Sequence, residues 1–359
     1  MENVKPFGNA PDGTPVHVYV LSLAGVTARV MDFGATLLGV DAPDRDGNVA
    51  DLVLGYGRLE GYFADPAFYG CSVGPSANRV ENAELTIAGT VYHLPKNDGP
   101  ENRNNNHTDF DHALHKCVWE AAPAEDGTAC TFTYHAADGQ WGLPGNRTFT
   151  ARYSLSLAQK GGVALTLEYG CETDAETYVN MTAHTYWNLA GHGSGLALGQ
   201  VACIYADHYL PLRDDNVSLG EVAEVAGTPF DFRRPKALGT NIAEENAQLA
   251  QGRGYDHCFC VDNYEPDDDP RPAFHAEDPA SGRTLDISIN TPGAHLYTGN
   301  WLDDRCAKDG ATYTPNCGFA FEPEYWPNNN RHADWVHPVC TPEHPYAQKI
   351  IYRLSVTED

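Results

Sequence analysis

Short runs in which apolar and polar side chains alternate recur from one end of the chain to the other, at residues 16–20, 28–30, 52–54, 85–87, 149–157, 163–169, 285–289, 319–321 and 350–356. A side-chain period of two belongs to a strand with one face buried. Turn chemistry separates the runs, and Asp46-Gly47 and Ala88-Gly89 suit hairpin loops. The pattern specifies an antiparallel β protein. One segment reads instead as helix: residues 241–251, with Thr240 or Asn241 to cap its start and Gly252 to end it. No repeat period and no Pro/Gly/Ser-rich linker divides the sequence, so residues 1–359 are expected to form one large β-sandwich domain with few short helices.

Composition narrows the function classes. A hydrophobic share of 42%, with 19 Tyr, 13 Phe and 6 Trp, is ample for a packed core. Lys and Arg number 23 against 49 Asp and Glu, a formal charge of −26. That field repels phosphate backbones and anionic lipid, so neither nucleic acid nor a membrane is an expected partner. The first residues carry no basic segment followed by an apolar run, and no stretch approaches about 18 consecutive apolar residues. The expectation is a cytoplasmic protein, monomeric or weakly dimeric. Its ten scattered cysteines are then free thiols, and Asn-x-Ser/Thr at Asn106, Asn146, Asn180 and Asn216 carries no meaning without a secretory route. Polar runs at 102–106, 265–270 and 328–330 read as surface loops.

Four segments concentrate hydrogen-bonding groups where packing does not ask for them. In residues 179–189, a strand period places Val179, Met181, Ala183, Thr185, Trp187 and Leu189 on one face and Asn180, Thr182, His184, Tyr186 and Asn188 on the other. If the odd residues face a core, His184 points into a cleft beside the amides of Asn180 and Asn188. In residues 318–326, Phe319 and Phe321 face one way and Glu322 the other, beside the small Gly318 and Ala320, before Pro323 interrupts regular pairing. Asn78 and Arg79 follow a Gly-Pro turn, and a forked guanidinium next to an amide can hold several hydroxyl oxygens. Asp256, in Gly254-Tyr-Asp-His257, can accept two hydrogen bonds from neighbouring hydroxyls.

Taken in order, these segments resemble the galactose mutarotases, the aldose 1-epimerase family. The resemblance runs through Asp32-Phe-Gly-Ala-Thr36, Pro43-Asp-Arg-Asp-Gly47, Ala77-Asn-Arg79, Leu94-Pro-Lys-Asn-Asp-Gly-Pro100, residues 179–195, Gly227-Thr-Pro-Phe-Asp-Phe-Arg233, Gly254 to His257, Tyr297-Thr-Gly-Asn300 and the Glu322 segment. It implies a large antiparallel β-sandwich and interconversion of the α and β anomers of a free hexose such as galactose or glucose, without metal or other cofactor. By resemblance Glu322 is the base that takes the O1 proton and His184 the acid that protonates the ring oxygen. An acid role asks for a charged imidazole, which nearby carboxylates such as Asp256 would favour. Asn78, Arg79, His107, Asp256 and His295 occupy the positions of sugar-binding residues. Trp187 and Trp301 are candidate aromatic walls, although core packing is the simpler role for each.

Three departures bear on substrate choice. His107 lies in Asn105-Asn-His-Thr-Asp-Phe-Asp-His-Ala-Leu-His115 where the family commonly shows Leu-His-Gly-Gly, which leaves His112 and His115 as rivals. His295 stands where Gln is usual, and Glu322 is followed by Pro323-Glu324 where Thr-Gln is common. Competing readings are a hexose-6-phosphate 1-epimerase, which needs added cationic groups, and a sugar-binding module that has lost turnover. A metal site on His107, Asp109, Asp111, His112 and His115, and a retaining glycosidase with Glu322 and Asp256 about 5 Å apart, complete the alternatives.

Overall fold

The computed structural model describes residues 3–266 and 269–357. The middle of the acidic run at 265–270 lies outside them. Among the described residues the regular structure is nearly all strand, with antiparallel sheets of nine, six and five strands beside smaller two-stranded ones. The long alternating runs form the centre of the nine-stranded sheet, where Arg147–Leu157 and Val163–Thr173 pair through eleven residues and Tyr346–Val356 lies beside Val163–Thr173. Both expected hairpins are present, Thr36–Pro43 with Val49–Asp51 around Asp46-Gly47, and Glu84–Ile87 with Thr90–His93 around Ala88-Gly89.

The six-stranded sheet carries Tyr186–Trp187 (β1), His208–Tyr209 (β2), Ala223–Glu224 (β3), Asp256–Cys260 (β4), Gly293–Tyr297 (β5) and Phe319–Glu324 (β6), in the order β1-β6-β5-β4-β2-β3. Its back packs on the nine-stranded sheet. Phe274, from Arg271–Glu277 of the larger sheet, lies 5.5 Å from Phe319 and 4.6 Å from Phe321 between ring centroids, and Trp187 lies 5.3 Å from Tyr352. Trp187 is fully buried, so its role is core packing.

Local expectations change in two places. Residues 52–54 continue no strand: Leu52 N–H still bonds the Val40 carbonyl, Leu54 N–H bonds the Tyr186 carbonyl, and Val53 bridges to Trp187. The apolar run there is a buried crossing from one sheet to the other. The helix expected at 241–251 covers only Ala247–Gly252. Asn246, in extended conformation, caps it by accepting from the amides of Gln248 and Leu249, while residues 241–245 form turns. An Asn closer to the helix core displaces the earlier cap. A one-turn helix at Glu60–Phe63 has no sequence signature. All ten cysteines are free. Asn106 and Asn180, two of the four Asn-x-Ser/Thr positions, are buried.

Phe321 sits directly behind the Glu322 segment in the shared core. Phe321→Ala is expected to cost about 3–5 kcal/mol of unfolding free energy, read from the midpoint of urea denaturation.

Candidate active site

The front of the six-stranded sheet lines a cavity of about 440 Å³, a size suited to a small molecule. Strand register puts three of its groups side by side. His295 on β5 stands directly opposite Glu322 on β6, and Asp256 on β4 stands opposite Tyr297 on β5. With Phe319 and Phe321 turned into the core, Ala320, Glu322 and Glu324 must face forward. His184 approaches from the short segment before β1. Its Nε2 lies 3.5 Å from Oε2 of Glu322, and both side chains are buried.

The odd residues of 179–189 face the core as their alternation requires: Val179, Met181, Ala183, Trp187 and Leu189 are all buried in it. The front face divides its work. His184 and Tyr186 line the cavity. Asn180 and Asn188, expected beside His184, instead hold backbone. Asn180 exchanges hydrogen bonds with the main chain of Tyr325 at 3.1 and 2.9 Å, and Asn188 donates to the carbonyls of Gly195 and Cys317 at 2.9 and 2.8 Å. The segment is not one strand but two short pieces that switch partners, Thr182–Ala183 pairing with Ser72–Val73 and β1 with β6. Fixed amides at each end are what position the histidine between them.

Asn78, Arg79 and His107 come from two strands that pair through Asn106 and Arg79. Asn78 and His107 both take left-handed backbone angles, φ 60° and 52°, which turn their side chains out of the pairing plane. The Asn78 amide N–H donates to Nδ1 of His107 at 3.1 Å, which leaves Nε2 as the proton-bearing nitrogen. Arg79 donates through Nε to Asp98 at 2.9 Å. Of the three candidate histidines, His107 alone lines the cavity. His112 is exposed beside Asp109, and His115 is buried with Nε2 on the Phe110 carbonyl.

Aromatic rings close the walls. Phe68 lies 5.7 Å from His184 in a stacked arrangement and 4.9 Å from both His107 and His115. Sequence reasoning missed it, because Phe68 sits in a turn at φ 58° with no alternation to mark it. Its turn is held by Asp65, which accepts from the amides of Ala67 and Tyr69. Trp301, for which core packing was the simpler expectation, is 56% exposed at the cavity rim, with the Arg253 guanidinium 3.7 Å over its ring. A turn after β5 carries it outward, beyond the reach of the core.

Burial reverses the expected charge of the pair. Desolvation pushes His184 down to about 3, and the positive His295 adds to the effect while Asp256 opposes it. The imidazole is therefore neutral at neutral pH, contrary to the expectation of a charged acid. Desolvation likewise raises the Glu322 carboxyl well above its ordinary range. Both shifts run against the charged forms, so burial disfavours an ion pair between the two groups. Asp256 behaves oppositely. Burial pushes it up, but the hydrogen bond and charge of His295, with Arg79, prevail and keep it below its usual value.

The family described as Aldose 1-epimerase matches residues 17–353. The chain belongs to the aldose 1-epimerase family. It is 32% identical to galactose mutarotase of Mus musculus over 352 residues, covering 98% of this chain and 97% of the relative. It is 31% identical to aldose 1-epimerase of Escherichia coli K12 over 332 residues, 92% of each. Among solved structures, galactose 1-epimerase from Lactobacillus acidophilus NCFM superposes with a TM-score of 0.83 at 26% identity and 99% coverage of both chains. An aldose epimerase homologue from C. elegans does so with 0.83 at 27% identity, over 95% of this chain and all of that one. The large antiparallel β-sandwich is thus the fold of the family, as the alternating runs require.

In the free protein the ring signals of His184 are expected to keep neutral-imidazole shifts from pH 8 down to pH 4, checked by NMR titration of the histidine Cε1–Hε1 groups. A midpoint near the ordinary value of about 6.5 would contradict the desolvation described above.

Proposed function

We propose that this chain is an aldose 1-epimerase, an isomerase that interconverts the α and β anomers of a free aldohexose such as glucose or galactose, and that Glu322 and His184 are its catalytic pair. The observation that carries the reading is their 3.5 Å separation across a buried cavity. O1 and O5 of a pyranose are bonded to the same carbon, so two groups this close can reach both oxygens at once.

The proton count fits the reaction. One member of the pair must give a proton to O5 as the other takes one from O1, breaking the C1–O5 bond and leaving an open-chain aldehyde. Rotation about C1–C2 then turns the other carbonyl face toward O5. On closing, the two protons return along reversed paths, and the pair ends as it began. A Glu322 carboxylate with a charged His184 and a Glu322 carboxyl with a neutral His184 contain the same single proton. The family roles, base for Glu322 and acid for His184, follow once a bound sugar's O1 hydroxyl favours the first arrangement. Each correctly placed group contributes about 10²- to 10⁴-fold.

Arg79, His107 and Asp256 supply donors and acceptors for the sugar hydroxyls, and Phe68 and Trp301 supply apolar surface for its C–H face. Asn78 and His295 line the same cavity, but their polar side-chain atoms are engaged by each other, by Glu324 and Asp256, and by the Arg79 amide, so they frame the site more than they bind in it. A free sugar is favoured over a hexose 6-phosphate. Arg79 is the sole Lys or Arg among the described residues lining the cavity, it is shared with Asp98, and Asp303 and Asp304 stand at the rim. The intact pair argues against a module that binds sugar without turnover. Rest of the reading: one domain, in the cytoplasm, monomeric or weakly dimeric. No described helix is long and apolar enough to cross a membrane.

Two measurements check this. Polarimetry of freshly dissolved α-glucose and α-galactose is expected to show relaxation to the equilibrium rotation far faster with protein than without. Glu322→Gln is expected to lower kcat by about 10²-fold or more with sugar binding retained in calorimetry. Loss of binding with unchanged turnover per bound sugar would assign Glu322 to recognition instead. With α-glucose 6-phosphate, kcat/KM is expected to be at least about tenfold below that for glucose.

A further inference from the structure

Beyond the residues already placed, three side-chain amides line the cavity: Asn106, Asn216 and Gln251. Gln251 belongs to the helix Ala247–Gly252, and its Nε2 donates to the Asp214 carbonyl at 3.0 Å and to Oδ1 of Asn216 at 2.7 Å. A backbone carbonyl only accepts, so the nitrogen of the Gln251 amide is the end that faces it. The second hydrogen of that nitrogen then takes Oδ1 of Asn216. Asn216 is left presenting Nδ2, a donor, and Gln251 is left presenting Oε1, an acceptor, and neither atom bonds a described residue.

The scaffold holds all three in place. Asn106 pairs with Arg79, and Asn97 grips its main chain on both sides: the Asn106 N–H donates to Oδ1 of Asn97 at 2.7 Å, and the Asn106 carbonyl accepts from Nδ2 of Asn97 at 2.9 Å. The Asn106 side chain is free of such ties. The residue is 8% exposed and its Oδ1 is buried with no hydrogen-bond partner among the described residues, a costly arrangement for a group with no task in the cavity. Buried Asp215 accepts from Arg103 at 2.7 Å, from Asn104 at 3.1 Å and from Arg213 at 3.0 and 3.1 Å, which ties the segment leading to Asn106 to the loop of Asn216. Asn216 itself takes φ 61°, a left-handed angle that suits Asn. The helix carrying Gln251 ends against β4, where a side-chain carbon on Gly252 would lie 3.0 Å from that of Asp256.

In the six-stranded sheet β4 is two strands from β6, about 10 Å at ordinary strand spacing. The Asn216–Gln251 pair therefore stands on the Asp256 side of the cavity, away from Glu322. A sugar with C1 at the catalytic pair turns its other hydroxyls this way. We propose, on the reading of the cavity as a sugar site with C1 at Glu322 and His184, that Asn106, Asn216 and Gln251 are specificity-determining residues, a wall of neutral amides that binds the sugar hydroxyls remote from C1. A hydroxyl both donates and accepts, and the wall offers a donor at Asn216 and an acceptor at Gln251 whose orientations are set before substrate arrives. A phosphate in the same place would set its oxygens against Oε1 of Gln251, acceptor against acceptor.

The test measures Kd by calorimetry, and KM and kcat by polarimetry, for the full-length wild type, Asn106→Leu, Asn216→Gly and Gln251→Met. Leu keeps the approximate shape of Asn without its polar atoms, and Gly keeps the left-handed angle at 216. Each variant is expected to raise Kd and KM for glucose about three- to tenfold, with kcat changed less than about threefold, because the lost bonds hold bound sugar and transition state alike. The 3-deoxy, 4-deoxy and 6-deoxy analogues of glucose then locate the contact. At least one of them should bind wild type about as weakly as glucose binds the variants, with no further loss when that analogue meets a variant. A Kd for glucose within about twofold of wild type in all three variants overturns the proposal. So does a loss of equal size on glucose and on every deoxy analogue, the mark of a merely structural role. If Asn106→Leu does not fold, Asn216→Gly and Gln251→Met carry the same comparison. Wild type that binds glucose without speeding its mutarotation would remove the epimerase reading, while the calorimetric series still judges the amide wall.

Discussion

The packing of Phe319 and Phe321 against Phe274 of the facing sheet is the contact on which the rest depends. A strand has only two faces, and committing two aromatic rings to the core turns Glu322 and Glu324 to the opposite face, where Glu322 lines the cavity. Pairing with β5 then sets His295 opposite Glu322, and pairing of β1 with β6 brings the His184 segment alongside. Side chains from distant parts of the chain thus reach one cavity because the register of four strands is fixed by a common core. A one-residue slip of β6 would turn both carboxylates into the apolar core and both rings out of it.

The same packing that aims the groups also dries them. Phe68, Tyr186 and His107 pack around His184, and the cost of a buried charge lowers the imidazole and raises the Glu322 carboxyl. His295, bonded to Asp256 through Nε2 and beside the Asn78 side chain at Nδ1, pulls the Glu322 carboxyl back down, while Glu324 and Asp256 push it further up. The state of each buried group in the cavity thus depends on the others.

Much of this was legible in the sequence. Alternation reads out the faces of residues 179–189 and of the Glu322 segment, and the family resemblance singles out His184 and Glu322 on them. What stayed hidden was whatever depends on pairing partners or on burial. Glu324 showed in the sequence only as a departure after Glu322, because its closeness to His295 is a matter of register between β5 and β6. Phe68 carried no signal, since a ring placed by a left-handed turn follows no period. The charge on His184 was misjudged because a neighbouring carboxylate is visible as a residue type, whereas desolvation belongs to the folded cavity. The helix at 241–251 shrank to one cap and six residues because several polar residues compete to start it.

The most direct test of the central claim is a crystal structure of Glu322→Gln soaked with glucose. The account predicts a single pyranose in the cavity, with C1 beside residue 322, the ring oxygen within hydrogen-bond distance of His184 Nε2, and hydroxyls on Asp256 and Arg79. A sugar seated at the Trp301 rim with its C1 turned away from residues 184 and 322 would contradict it.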